Sequence, residues 1–270
     1  VTVLVAGASG FLGAEVCRQA VAAGERVVGT YHSGVVEIAG VEAHRLDVTD
    51  RAAVRDLVAR IRPTVVIGTP YRYGDWAVTA DGAAHIAYAA AEVGARLVHI
   101  SSDALHAGRS EPYGDDEPPT PIFAYGAAKA AAETAVRVID PAAALVRTSL
   151  ILGERSKQIQ LCRDALAGRA ALFTDELRCP IDVDDLAGAV LELAGSDYAG
   201  TLNVAGADAV SRAELGLLVA RREGLDPTLL KTTTGVEVGV VRPTEVRLDS
   251  TRATALLRTR LRGVRELLAV

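Results

Sequence analysis

Tyr125 and Lys129, in Tyr125-Gly126-Ala127-Ala128-Lys129, stand four residues apart. On a helix that spacing puts a phenol and an ammonium on one face, about one turn from each other. A phenol ionises near pH ~10 unless a neighbouring cation and a polar partner bring it towards neutrality, and Lys129 would supply the cation. The spacing alone is common in helices. Ser101-Ser102-Asp103 adds to it, because it ends the strand-like run Arg96 to Ser101. The C-terminal ends of strands are where ligands sit in doubly wound sheets. The three side chains would together perform one task. Tyr125 would donate a proton to a carbonyl oxygen as hydride arrives, while Ser102 hydrogen-bonds the same oxygen and steadies its developing charge.

A hydride carrier is implied by Gly7-Ala8-Ser9-Gly10-Phe11-Leu12-Gly13, which follows the first strand-like run at once and opens the first helix. Gly7 permits the tight turn, Gly10 lets the backbone approach a pyrophosphate, and Gly13 allows close packing of helix on strand. The helix start, with Ser9, Phe11 and Leu12, offers free N–H groups to phosphates. An NAD site usually has a carboxylate at the end of the second strand for the adenosine ribose. Here the segment reads Gly29-Thr30-Tyr31-His32-Ser33. With Thr30, His32 and Ser33 in place of the carboxylate, NADP(H) is favoured over NAD(H), although no Arg clamps a 2′-phosphate. In Leu46-Asp47-Val48, Asp47 either accepts from the adenine amino group beside Val48 or caps the helix that begins near Asp50.

The elements that must position these residues alternate as strand and helix. Strands are expected at Val1 to Ala6, Arg26 to Tyr31, Ala43 to Leu46, Thr64 to Gly68, Arg96 to Ser101 and Ala142 to Thr148, each apolar enough to be buried on both faces. Helices are expected at Gly10 to Ala23, Arg51 to Ile61, Val78 to Val93 with Gly94 as its cap, and Tyr125 to Val138. After Ser149 come helices at Ile159 to Ala167 and Val183 to Ala194, and strands at Ala171 to Thr174 and Thr201 to Val204. A capping box follows at Ser211 to Glu214, then an irregular stretch from Asp226 to Arg242 and two terminal helices between Asp249 and Ala269. The fold class is α/β, a doubly wound parallel (Rossmann) sheet with a smaller C-terminal α/β substrate lobe. Residues 1–150 form the dinucleotide-binding part and 151–270 mainly the lobe, with some segments returning to the first part.

Composition limits the partners. With 29 Lys and Arg against 34 Asp and Glu in 270 residues, the formal charge is −5. That balance disfavours a surface that holds nucleic acid by charge. The apolar runs fall short of the ~20 residues a membrane-spanning helix needs, so neither a membrane nor a nucleic-acid partner is expected. The start reads as a strand without a basic leader, which gives an expectation of a cytoplasmic protein. Cys17, Cys162 and Cys179 show neither disulfide nor metal spacing, the five histidines show no His-x-x-x-His pattern, and no metal site is expected.

The chain resembles the extended short-chain dehydrogenases/reductases, and within them the dTDP-4-dehydrorhamnose reductase-like sugar-nucleotide reductases. The likeness is carried by the Gly7 to Gly13 turn, Leu46-Asp47-Val48-Thr49-Asp50, Ser101-Ser102-Asp103, Tyr125 to Lys129 with Glu133, Val146-Arg147-Thr148-Ser149 and Arg242-Pro243. The resemblance implies catalytic roles for Ser102, Tyr125 and Lys129, and a nucleoside-diphosphate-sugar held by the C-terminal lobe. It implies an NAD(P)-dependent oxidoreductase reducing a keto group of such a substrate. The alternatives are an epimerase or dehydratase that retains its cofactor, or a non-catalytic nucleotide-binding subunit, and a homodimer fits any of these. Ser101-Ser102-Asp103-Ala104-Leu105 departs from the family's Ser-Thr-Asp and aromatic run, and Thr79 stands where an Asn is common. Asp103, and Tyr73 and Trp76 in the loop Thr69 to Trp76, are candidate substrate contacts, the two rings either stacking on substrate or packing on the sheet edge. Arg72 could pair with it. Arg178 could reach a diphosphate, Asp184 and Asp185 read as helix caps, and Arg242 is either a second phosphate ligand or a surface charge.

Overall fold

The structure, a computed structural model, describes residues 1–269. Seven parallel strands form one sheet: β1 (Thr2–Ala6), β2 (Arg26–Tyr31), β3 (Val41–Arg45), β4 (Val65–Gly68), β5 (Arg96–Ile100), β6 (Ala144–Arg147) and β7 (Gly200–Asn203). Their order is β7-β6-β5-β4-β1-β2-β3. The order reverses beside β1, and in such a sheet a ligand crevice opens where it reverses. The strands are apolar throughout because alternate residues enter two different cores. Val3, Val5, Ile67, Val98 and Val146 pack into one, and Leu4, Val66, Leu97 and Leu145 into the other. On the first face lie α1 (Phe11–Ala22) and α6 (Val183–Ala194), which pack on each other. On the second lie α2 (Arg51–Ile61), α3 (Gly82–Val93) and α4 (Ala124–Ile139). Both α6 and β7 come from beyond residue 150, so that part of the chain is shared between the sheet and the lobe.

The expectation that every strand is covered on both faces fails at β3, where Glu42, Ala43 and Arg45 are exposed. It lies at the sheet edge with one partner, and Glu42 pairs with Arg26 of β2 at 2.9 Å instead of packing inward. The strand also begins at Val41, earlier than the apolar pattern predicts. A π-helical turn at Ala77–Asp81 precedes α3, which is capped by Gly94 in the left-handed region. The lobe holds α5 (Lys157–Leu166) and α7 (Arg212–Arg222) around Leu152, Ile159, Leu172, Leu215 and Val219. The capping box at the head of α7 is present. The Ser211 hydroxyl accepts from the Glu214 N–H at 3.0 Å, and the Ser211 N–H donates back to the Glu214 carboxylate at 2.8 Å. Three two-residue pairings complete the lobe: Ile151–Leu152 with Ile181–Asp182, Leu177–Arg178 with Val210–Ser211, and Leu172–Phe173 with Thr232–Thr233. The terminal helices are short, Thr251–Leu256 and Val264–Leu267. No helix among the described residues is long and apolar enough to cross a membrane. All three cysteines are buried free thiols, pushed up to about 11 or 12 by burial.

Candidate active site

A cleft of about 1500 Å³ runs along the C-terminal edge of the sheet and is closed on the far side by the lobe. Its floor begins at the Gly-rich turn. Gly7 has φ +82°, and a Cβ on Gly13 would stand 2.3 Å from the Gly7 carbonyl oxygen, so helix and turn touch in a way only hydrogen permits. Gly10 precedes α1, and no side chain caps that helix. Its first N–H groups are left for an anion, and Gly10, Phe11, Leu12 and Gly13 all line the cleft with Gly7 and Ser9. The turn therefore fits the pyrophosphate of a dinucleotide.

At the adenosine end the predicted residues divide. Thr30, His32, Ser33, Asp47 and Val48 all line the cleft. The Thr30 hydroxyl is occupied, however, accepting from the Gly7 N–H at 3.3 Å in a buried position, so it supports the turn. His32 Nε2 lies 3.5 Å from the Asp47 carboxylate. Asp50, not Asp47, caps α2, accepting from the Ala53 N–H at 3.0 Å. Asp47 accepts from the hydroxyl and N–H of Thr49 at 2.7 and 2.9 Å, which holds its carboxyl below the usual range. Its other oxygen is the one that lies 3.5 Å from His32 Nε2.

The hydroxyl and amine predicted to do chemistry line the same cleft from one helix, a turn apart. Lys129 is fully buried in the seam between α4 and β5, and its Nζ donates to the Ile100 carbonyl at 2.9 Å. Burial pushes its pKa down to about 8, against the raising effect of Glu133. Tyr125 lies beside it in the cleft wall. Burial, with Tyr73 and Tyr71 nearby, pushes the phenol upward, and the neighbouring Ser102 hydroxyl opposes the rise. The phenol of the free chain is thus a retained proton. Ser102 starts a 3-10 turn, Asp103–Leu105, and its hydroxyl accepts from the Ala104 N–H at 3.2 Å. Gly126 fixes how near α4 comes to that turn, since a Cβ there would stand 2.2 Å from the Ala104 carbonyl oxygen.

The far wall corrects several expectations. Asp103 is buried, accepts from the Ser149 hydroxyl at 2.6 Å and lies 3.7 Å from Arg178 Nε. Arg178 spends its guanidinium on backbone carbonyls: Leu177 and Thr244 at 2.6 and 2.8 Å, and Pro243 at 2.7 Å. Both residues border the cleft, but their polar atoms fasten the lobe to the sheet edge and are not left for a diphosphate. Arg242 is half exposed in the cleft, 3.5 Å from Glu176. Trp76 does not line the cleft. It heads the π-helical turn, half exposed, because Thr79 clasps the N–H and carbonyl of Arg72 at 3.0 Å and Gly74 turns the loop at φ +72°. Tyr73 does reach the site and stacks on Tyr125 with ring centroids 4.2 Å apart, its other face open to solvent. Tyr71, from the same loop, lies 5.8 Å from the same ring, and Arg212, which was not among the sequence candidates, bonds Glu176 at 3.2 Å and lines the cleft. The only signal for Arg212 was its place directly after the capping serine of α7. Asp182, rather than Asp184 or Asp185, caps α6 by side chain, and Asp185 is paired with Arg262 at 2.7 Å.

A protein-family model described as RmlD substrate binding domain matches residues 1–270. The chain is 31% identical to a dTDP-4-dehydrorhamnose reductase of Mycolicibacterium smegmatis, over 83% of this chain and 70% of that protein. It is 30% identical to a probable dTDP-4,6-dihydroxy-2-methyloxan-3-one 4-ketoreductase of Streptomyces antibioticus, over 86% of this chain and 80% of the relative. Among solved structures it is similar to a hypothetical dTDP-4-dehydrorhamnose reductase from Sulfolobus tokodaii, with TM-score 0.85, 29% identity and 97% of each chain covered. The uncapped Gly turn, the Ser102–Tyr125–Lys129 cluster and these matches agree: the chain is an NAD(P)-dependent oxidoreductase of the extended short-chain dehydrogenase/reductase type and belongs to the RmlD substrate binding domain family.

Proposed function

We propose that the chain uses NADP(H) to reduce a keto group on a nucleotide-linked sugar of the dTDP-4-keto-6-deoxysugar type. The observation that carries this reading is the convergence of the Ser102 hydroxyl, the Tyr125 phenol and the Lys129 ammonium on one wall of the cleft, beside a Gly turn that suits a pyrophosphate. The bound dinucleotide supplies the hydride. Tyr125 gives its proton to the carbonyl oxygen, Ser102 donates a hydrogen bond to that oxygen, and Lys129 steadies the phenolate that results. The remaining substrate is anionic, and the cleft suits it: seven Lys and Arg side chains line it against four Asp and Glu, in a chain of net charge −5. A volume of 1500 Å³ exceeds what one small ligand fills and accommodates a dinucleotide with a second nucleotide-sized molecule.

NADP(H) is favoured because β2 ends without a carboxylate, while His32, Ser33 and Arg72 line the cleft. The relatives' names support the 4-keto substrate class. Tyr73, stacked on the phenol, is positioned to trade that contact for the apolar face of a deoxysugar ring, and Arg242 and Arg212 to meet the diphosphate. A homodimer in the cytoplasm is the expected working form.

The test is NADPH oxidation measured against a panel of nucleotide-linked 4-keto-6-deoxysugars, with Tyr125→Phe alongside. The variant is expected to lose about 10²- to 10⁴-fold in turnover while binding NADPH as before. Undiminished turnover would remove Tyr125 as the acid, and a tighter fit to NADH in parallel titrations would reverse the cofactor preference.

A further inference from the structure

Behind the cleft, and not lining it, Glu133 and Arg147 form a buried pair, each about 1% exposed. Glu133 Oε1 accepts from Arg147 Nε at 2.9 Å and from the Ser101 hydroxyl at 2.6 Å, and Oε2 accepts from Arg147 Nη2 at 2.8 Å. Arg147 Nη1 donates onward to the Glu117 carbonyl at 2.8 Å. One carboxylate thus ties α4, which carries Tyr125 and Lys129, to the end of β5, from which Ser102 projects, and to β6.

We propose that Glu133 and Arg147 are positioning residues for the proton-transfer couple: Glu133 keeps the buried Lys129 charged, and Arg147 holds that carboxylate away from direct contact with it. Both Glu133 oxygens are taken by Arg147 and Ser101, and among the described residues Lys129 makes no ion pair within 4.0 Å. The ammonium therefore keeps to the Ile100 carbonyl and the cleft side of the seam. A direct Lys129–Glu133 bridge would draw Nζ back from Tyr125. Without any carboxylate nearby, burial would leave the amine neutral and unable to steady a phenolate.

The groups facing Lys129 come from four elements. Tyr125 and Glu133 lie on its own helix, and His99 on β5, where burial and the Lys129 charge push the imidazole down to about 3 and so keep it neutral. Arg147 lies on β6 behind Glu133, and the Tyr71 ring lies 5.6 Å from Nζ. Of these, Glu133 alone brings a negative charge that opposes the effect of burial on Lys129.

The inference rests on the reading of Tyr125 and Lys129 given above, but its test does not need turnover. The chain has only three lysines, at 129, 157 and 231, so ¹³C,¹⁵N-lysine labelling gives three resolvable side-chain signals, with Lys129 identified by its loss in Lys129→Met. Titrated without any dinucleotide, Glu133→Gln should lower the Lys129 midpoint by about one pH unit or more, because it removes the carboxylate and leaves Arg147 unbalanced. Arg147→Met should raise it. Glu133→Gln leaves Arg147 without its carboxylate and Arg147→Met leaves Glu133 only the more distant Arg137 at 4.0 Å, so either single variant is open to unfolding. The double variant Glu133→Leu/Arg147→Met removes both charges and should fold, with a midpoint below the wild type and above Glu133→Gln. The alkaline limb of NADPH oxidation should move in the same order.

Midpoints in the folded variants that coincide with the wild type would overturn the positioning role and make the pair purely structural. Failure of the wild type to bind NADPH or turn over would instead count against the proposed function, with the titration order still readable.

Discussion

The sheet edge and the wall facing it hold their side chains by different means. At the edge, Ser102, Tyr125 and Lys129 stand on a strand end and a helix that are locked together by buried groups: Glu133 with Arg147 and Ser101, Lys129 on the Ile100 carbonyl, and Gly126 against Ala104. The facing wall is made of two-residue strand pairings and the irregular stretch up to Arg242, where Val236, Val238 and Val241 are exposed. Arg178 is one of its fastenings to the edge, joining Asp103 to the carbonyls of Pro243 and Thr244. In the proposed function, chemistry falls to the part built from long elements and substrate selection to the part with few backbone ladders. Sites on rigid elements hold geometry better than sites on loops.

Three substitutions sharpen or break that contrast. Gly13→Ala is expected to have the largest effect, because its Cβ would meet the Gly7 carbonyl oxygen at 2.3 Å and neither backbone segment can yield cheaply. Overpacking of this kind costs about 1–3 kcal/mol, and loss of dinucleotide binding by isothermal titration should accompany a lowered melting temperature. Binding that survives would show slack at the edge. Arg178→Met should act next in size. It removes the side-chain bonds to Pro243 and Thr244 and should raise KM for the sugar nucleotide about tenfold or more, as truncating a hydrogen-bonded buried charge costs about 1.5–3 kcal/mol per bond. NADPH affinity should hold. If it falls with the sugar's, edge and wall are one unit and the contrast fails.

The smallest effect concerns the seam between them. His106 is fully buried, stacked on Tyr113 at 3.9 Å, and pushed down to about 3 by burial with Arg147 and Arg109 nearby. Its folded value lies below the ordinary 6.5, so the unfolded chain binds the extra proton between those limits. The stability it contributes is complete above 6.5 and is lost as pH falls towards 3. Urea midpoints of His106→Phe should fall less than the parent's between pH ~7 and ~4. Equal losses would mean that the acid sensitivity lies elsewhere.

The sheet edge was legible in the sequence because its signals are local. Continuous apolar runs, three glycines at a strand-to-helix turn, and a tyrosine and lysine four apart each need only a few neighbouring residues, and the structure puts the glycines, the tyrosine and the lysine on one cleft. What was misjudged depends on distance along the chain. Nothing near Arg178 indicates that carbonyls 65 and 66 residues away will take its donors, so a diphosphate looked as plausible as a backbone. Val41–Arg45 was misjudged for a related reason, since a strand's exposure depends on whether a further strand lies beyond it, and none does among the described residues. Trp76 and Tyr73 are three residues apart and equally aromatic, and only the Thr79 clasp on Arg72 sorts one out of the cleft and the other into it.

Gly126 has a consequence for anyone who would redesign this molecule. With a backbone oxygen 2.2 Å from where a side chain would begin, residue 126 admits no size change that does not first pry the phenol-bearing helix from the serine-bearing turn. Variation aimed at new substrates is therefore best spent on the tyrosine loop and the valine-rich strap, and a library that randomises the helix start would mostly return enzymes that are dead before their selectivity can be read.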